Sequence, residues 1–83
     1  MKPAHVFRLF DAAGNVLYIG LSTPVPTGRI ATLKRREPWG SQVKEWQIIE
    51  CPTMAVARLR RVQLVREQRP IHGRPLRLEA VAA

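Results

Sequence analysis

The feature that most constrains the fold is a pair of short apolar runs separated by a turn-forming segment. The runs cover residues 5–10 and 15–21, and both are rich in β-branched and aromatic residues with little helical periodicity. Between them, Asp11, Gly14 and Asn15 are residue types that favour a reversal of the chain. The pattern therefore predicts an antiparallel β-hairpin.

A proline-containing loop and a short basic helix are expected after the hairpin. Two prolines within residues 23–28 remove backbone donors that a regular element would need. Thr27 is the expected N-cap of a helix that ends near Arg36. In this helix Ile30 and Leu33 would face the core and the basic residues would face solvent.

A third strand and a second helix complete the predicted order. The strand is expected over residues 43–50, and its Trp46 is expected in the core, whereas Trp39 in the preceding connection suits either the core or base stacking. Thr53 is expected to cap a helix that runs through about residue 68. The positions of this helix that follow helical spacing are Ala55, Leu59, Val62 and Val65 or Arg66.

Residues 71–78 suit either coil or an edge strand. Residues 1–83 therefore predict one small α/β domain, ordered β-β-α-β-α, with a three-stranded sheet flanked by helices. No window is long enough to cross a membrane, and the N-terminus lacks the apolar stretch of a signal peptide, so we expect a cytoplasmic protein without a membrane partner. The lone Cys51 is expected to be a small buried residue.

Positive charge is the strongest compositional signal. Fourteen Lys and Arg residues against six Asp and Glu give a formal net charge of +8. Such a surface attracts polyanions, of which nucleic acid is the commonest, and guanidinium groups suit phosphate oxygens. The two histidines lie at opposite ends of the chain, which does not match the ligand spacing of a zinc site.

The order of elements and several local motifs resemble the GIY-YIG nuclease domain over about residues 5–73. The second of the two motifs that give the family its name, Tyr-Ile-Gly, is present unchanged at residues 18–20, at the end of a strand. Arg29 in the first helix, Trp46 in the third strand and a second helix that ends in Arg69-Pro70 agree with this resemblance. The resemblance implies that Tyr18 and Arg29 are the retained members of a phosphodiester-cutting site.

Four departures from the family pattern fall on the residues that such a site needs. Phe7 replaces the tyrosine of the first signature and has no hydroxyl to relay a proton. Leu33 stands where the family places a histidine or tyrosine, and Arg61 stands where it places its metal-binding glutamate. The closing Pro-x-Tyr-Asn pattern reads Pro-Ile-His-Gly at residues 70–73, so Gly73 replaces the asparagine. A catalytically degenerate relative is therefore expected.

The resulting prediction is a domain that binds DNA or RNA through backbone phosphates. Binding is expected to depend on salt and to be largely indifferent to base sequence. The residues expected to contact nucleic acid are Lys34, Arg35, Arg36, Arg58, Arg61, Arg66 and Arg69.

Two alternatives remain open. One is a divergent endonuclease that uses Mg²⁺, with Glu45 or Glu50 near the third strand as a substitute ligand, since Glu67 lies on a different helix face from Arg61. The other is a protein-docking module or inhibitor that uses the former nuclease face. Outside the endonuclease alternative, no metal ligand and no cofactor is predicted.

Overall fold

The computed structural model describes residues 3–72. The predicted order β-β-α-β-α is confirmed, with a short 3₁₀ turn at Gly40–Gln42 before the third strand. The elements are β1 (Ala4–Phe10), β2 (Val16–Ser22), α1 (Thr27–Arg36), β3 (Glu45–Cys51) and α2 (Met54–Gln68). Gly73 and the rest of the 71–78 segment beyond residue 72 lie outside the described residues.

The hairpin turn is organised by one carboxylate. The Asp11 side chain accepts hydrogen bonds from the backbone N–H of Ala13 at 2.9 Å and of Asn15 at 2.8 Å. It also accepts one from the Asn15 side-chain amide at 3.1 Å, and the hydrogen bonds from Asn15 lower the pKa of Asp11. Gly14 has φ of 85°, a left-handed conformation that glycine adopts without strain. The turn chemistry read from the sequence is therefore the chemistry that closes the hairpin.

The three strands form an antiparallel sheet in the order β2-β1-β3. The central β1 places Phe7 opposite Gly20 on β2 and opposite Ile48 on β3. Leu9 pairs with Tyr18 while Phe10 pairs with Val16, so Leu17 is the extra residue of a β-bulge. β2 and β3 are therefore the outer strands, and the backbone N–H groups of Ile71 and His72 donate hydrogen bonds to Val16 and Leu17 of β2.

Each face of the sheet has its own hydrophobic core. The buried residues on the α2 side are Ala4, Val6, Ile19, Cys51, Ala57 and Leu64. Those on the α1 side are Phe7, Leu9, Leu17, Ile30, Trp39 and Val43. The helices thus flank the sheet as predicted, and Cys51 is buried and free as expected.

The predicted start of α1 and the predicted start of β3 were wrong by one or two residues. Thr27 is the first residue of α1, and the N-cap is Pro26, whose carbonyl accepts a hydrogen bond from Ile30 N at 2.8 Å. The φ of Pro26 is −81°, close to the helical range that its ring imposes, so the helix begins one residue earlier. β3 starts at Glu45 because the 3₁₀ turn and the extended residue Val43 occupy the preceding positions.

The cap of α2 was predicted correctly, and of the apolar positions that follow helical spacing Val65 packs against the α2-side core. Thr53 Oγ1 accepts a hydrogen bond from Val56 N at 3.2 Å. The buried residues are Ala57 and Leu64, whereas Leu59 is 67% exposed. Ala57 has no side chain beyond Cβ and lets the helix approach the sheet closely, which turns the stripe that contains Leu59 outward.

The roles expected of the two tryptophans are also corrected. Trp46 is 48% exposed, whereas Trp39 is 8% exposed. Trp39 and Val43, both from the connection between α1 and β3, complete the core on the α1 side, so Trp46 on the edge strand is left partly in solvent. Within residues 3–72, no helix is long and apolar enough to span a membrane.

Candidate nucleic-acid interface

A cleft of about 380 Å³ lies at the β2 edge, where α1 and α2 meet the sheet. We call it the β2 cleft. Its polar lining groups are Tyr18, Arg29, Glu37, Arg61 and His72. The two residues that the family resemblance implies as a retained site, Tyr18 and Arg29, are therefore brought together with Arg61 at one surface.

Helical spacing explains how α1 contributes to the cleft. Arg29 and Leu33 are four residues apart on one face of α1, and Glu37, the C-cap residue four positions further on, continues this row; all three line the cleft. Glu37 was missed in the sequence, although its spacing of eight residues from Arg29 is the signal that identifies it. Leu33 contributes a hydrophobic side chain to the lining of the cleft.

A row of stacked rings forms one wall of the cleft. The ring centroids of Tyr18 and Trp39 are 5.6 Å apart, and those of Trp39 and His72 are 5.2 Å apart with planes at 8°. The backbone N–H of His72 donates to the carbonyl of Leu17 on β2 at 2.8 Å, which fixes the end of this row against the strand. Stacking on Trp39 thus fixes the orientation of the Tyr18 ring.

Close ring packing accounts for the glycine of the Tyr-Ile-Gly signature. A Cβ at Gly20 would lie 2.8 Å from ring carbons of both Phe7 and Tyr18, so any other residue would force these rings to shift. The fully buried Phe7 ring in turn lies 6.0 Å from the guanidinium carbon of Arg29. The Phe7 ring therefore contacts the Arg29 guanidinium through its face, and this contact does not need the hydroxyl of a tyrosine.

Arg61 is the unusual residue of the cleft. It lies on the inner face of α2, between the buried Ala57 and Leu64, and its Nε is buried without a hydrogen-bond partner among residues 3–72. An unpaired buried donor destabilises a fold by about 1–3 kcal/mol. Arg61 thus lines the cleft together with Arg29 and adds a second positive charge there.

The remaining predicted phosphate contacts divide into three groups. Arg58 and Arg69 are about 60° and 80° around α2 from Arg61, on the side where Val65 lines the cleft, so they flank it. Arg36 flanks it on α1, about 60° from Leu33, whereas Arg66 is about 140° from Arg61 and points away. Lys34 and Arg35 line a different surface, described below.

The carboxylates do not assemble a metal site in the described part of the chain. Glu45 and Glu50 lie on β3, at the opposite edge of the sheet from the cleft, and Glu67 is exposed on the outer side of α2. No group of three or more His, Cys, Asp and Glu side chains within residues 3–72 is arranged to hold a metal ion. With two guanidinium groups and one carboxylate, the cleft suits an anion better than a divalent cation.

A second concave surface of about 370 Å³ lies on the other flank of α1, against the β3 edge. We call it the β3 groove. Its lining includes Thr27, Ala31, Lys34, Arg35 and the exposed ring of Trp46. The Lys34 ammonium lies 5.4 Å from the centroid of that ring.

Comparisons of the chain with protein-family models, with curated proteins and with solved structures each find no match.

Proposed function

We propose that the protein is a small GIY-YIG-like domain that binds nucleic acid through backbone phosphates at the β2 cleft and does not cut it. The observation that carries this proposal is the meeting of Arg29 and Arg61 beside Tyr18 in one cleft. Guanidinium groups bind phosphate oxygens through paired N–H donors, and a tyrosine hydroxyl adds another donor.

The position of Arg61 supports an anionic ligand. Its side chain is only partly buried and lines the cleft beside Arg29, so its guanidinium can donate to a phosphate oxygen there. The formal charge of +8 supports a polyanion rather than an isolated small anion. Arg36, Arg58 and Arg69 around the rim would extend contact to neighbouring phosphates along one backbone.

The residues that depart from the family pattern support binding without cleavage. Phe7 is fully buried and has no proton to relay. Arg61 stands at the cleft in the position that the resemblance assigns to a metal-binding glutamate, and its positive charge would repel a divalent cation.

The proposal is tested by the salt dependence of binding to blunt DNA duplexes of unrelated sequence. With four to six phosphates neutralised, log K should fall against log salt with a slope of about −4 to −5. Arg29→Gln and Arg61→Gln should each flatten the slope by about 0.9, equally for every duplex. Arg60→Gln is the matched control, because it removes the same charge about 100° from Arg61 on the side away from Val65.

Arg61→Met separates a binding role from a structural one. Because the variant removes an unpaired buried donor and keeps an unbranched apolar stem, the free energy of unfolding should rise by about 1 kcal/mol while duplex affinity falls. A slope near zero for the unmodified protein, or equal effects of Arg60→Gln and Arg61→Gln, would contradict the proposal and favour a protein-docking module.

Glu37 favours one second candidate, a divergent Mg²⁺-dependent endonuclease. Mg²⁺ is often held by one or two carboxylates together with substrate phosphates, and Glu37 lies in the same cleft as Tyr18 and Arg29. A nicking assay on supercoiled plasmid decides between the candidates. Nicking that requires Mg²⁺ and disappears in both Glu37→Gln and Arg29→Gln would establish the endonuclease, whereas no nicking above background is expected from the phosphate-binding domain.

A further inference from the structure

We infer that the β3 groove is a second nucleic-acid site, in which an unpaired base of a single strand stacks on Trp46 while Lys34 and Arg35 neutralise the adjoining phosphates. The inference rests on the proposed function, because it assumes a nucleic-acid ligand. It differs from the proposed function in three ways. The surface is the β3 groove and not the β2 cleft, the part of the ligand recognised is the base as well as the phosphate, and unpaired strands are preferred.

The first argument is the exposure of Trp46. Its ring is 48% exposed although it lies on a strand, and the core on that face of the sheet is completed without it by Trp39 and Val43. The exposed half of the ring is therefore available to a ligand. Base–aromatic stacking uses a ring face of this kind and tolerates any base, since every base has a π face.

The second argument is the charge around the ring. Lys34 and Arg35 line the same groove as Trp46, and both are exposed. An aromatic platform bordered by cations matches a nucleotide, whose base is flat and whose phosphate is anionic. An uncharged apolar peptide would leave these two cations without a counter-charge, so the groove favours a nucleotide over such a partner.

The contact between Lys34 and Trp46 is compatible with this use. The Lys34 ammonium is 5.4 Å from the ring centroid, and such a contact at an exposed site is weaker than the stacking of a base. A base can therefore replace the ammonium over the ring, and the long Lys34 side chain can turn to the phosphate. Lys34 then changes partner from ring to phosphate, and its charge stays in the groove.

The β3 groove offers an exposed ring face, and this favours a strand whose bases are unpaired. It lies between α1 and an edge strand, on the flank of the helix opposite the β2 cleft. A paired base has both faces covered by its neighbours in the duplex stack and offers no free face to Trp46, whereas a base in a single strand does.

The test uses tryptophan emission and an oligothymidylate of about 12 nucleotides. Trp39 is 8% exposed and Trp46 is 48% exposed, so emission that a stacked base quenches comes from Trp46. We expect quenching in the unmodified protein and its loss in Trp46→Phe, which keeps a smaller stacking ring and binds with a few-fold lower affinity. Trp46→Leu should weaken oligothymidylate binding about tenfold and leave blunt-duplex binding within about twofold.

A charge variant gives a second, independent measurement. Lys34→Gln should flatten the salt slope for oligothymidylate by about 0.7 and retain the quenching, whereas the control Arg60→Gln should change neither. Because Lys34 and Trp46 are both exposed, these variants are expected to fold, and circular dichroism checks that they do.

The outcomes separate this inference from the proposed function. If duplexes bind with the expected salt slope but oligothymidylate binding is unchanged in Trp46→Leu, the inference is overturned and the cleft proposal stands. Equal weakening of duplex and single strand by Trp46→Leu also overturns it, because the ring would then serve general binding. If neither ligand binds with salt dependence, the proposed function itself fails.

Discussion

The β2 cleft and the β3 groove lie on opposite flanks of α1 but are built in different ways. The cleft is walled by packed rings, in which Trp39 is buried between Tyr18 and His72. The groove presents about half of the Trp46 side chain to solvent beside Lys34. Two tryptophans seven residues apart in the sequence therefore have opposite roles.

The two regions also differ in how closely they are tied to the hydrophobic core. The cleft wall is continuous with the α1-side core, so Tyr18 and Arg29 are positioned by residues that also hold the fold together. In the groove, Ile30 belongs to the same core, but Lys34, Arg35 and Trp46 are exposed and can change at little cost in stability. Three predictions test this contrast.

The largest expected effect separates the two tryptophans. Trp39→Leu should lower the free energy of unfolding by about 3 kcal/mol, because it leaves a cavity beside Tyr18 and His72. Trp46→Leu should change it by about 0.5 kcal/mol, as expected of an exposed side chain. Urea denaturation of both variants measures this, and similar losses would show that the groove is part of the core.

A smaller effect is expected from alanine at Gly20, which lies under the rings of the cleft. Gly20→Ala should lower the free energy of unfolding by about 1–3 kcal/mol, because the new methyl group meets Phe7 and Tyr18. It should also displace Tyr18 and weaken duplex binding.

Gly28→Ala is the matched control for Gly20→Ala. Nothing lies within 4 Å of a Cβ built at this exposed position, and the change should stabilise α1 by about 0.5 kcal/mol. Thermal unfolding and duplex binding of the two variants give the comparison. A neutral Gly20→Ala would mean that the ring wall is loosely packed.

The smallest expected effect concerns the hairpin turn, which lies in neither region. Asp11 has a pKa lowered from 3.8 by hydrogen bonds from Asn15, so its charged form contributes stability above pH 3.8. That contribution is lost as the pH falls through the lowered folded pKa. The stability difference between the unmodified protein and Asp11→Ala should therefore be small at about pH 5 and disappear in stronger acid.

Chemical denaturation across this pH range measures the Asp11 effect. Duplex and oligothymidylate binding at neutral pH should be equal in the two proteins, because the turn contributes no residue to the cleft or the groove. Weakened binding in Asp11→Ala would show that the hairpin turn reaches one of the two sites.

Much of the fold was predictable because its signals are local. The turn residues between β1 and β2, the Thr53 cap and the proline that follows α2 each act within a few positions of where they stand in the chain. The meeting of Tyr18, Arg29 and Arg61 was implied by the family resemblance, and the structure brings the three residues to one cleft.

The sequence could not determine which surfaces face inward. α2 carries two apolar stripes, and periodicity alone does not choose between the one with Leu59 and the one with Ala57 and Leu64. That choice depends on how closely the helix approaches the sheet. It also puts Arg61 on the inner face.

Tertiary packing likewise decided which tryptophan is buried and which residues join the cleft. Trp39 is drawn into the core by a connection that folds back over the sheet, which leaves Trp46 free at an edge. Glu37 and His72, 35 residues apart, meet at the cleft because separate backbone segments bring them to the β2 edge. Contacts between residues so distant in the chain depend on the packing of whole elements, and short-range patterns in the sequence do not encode them.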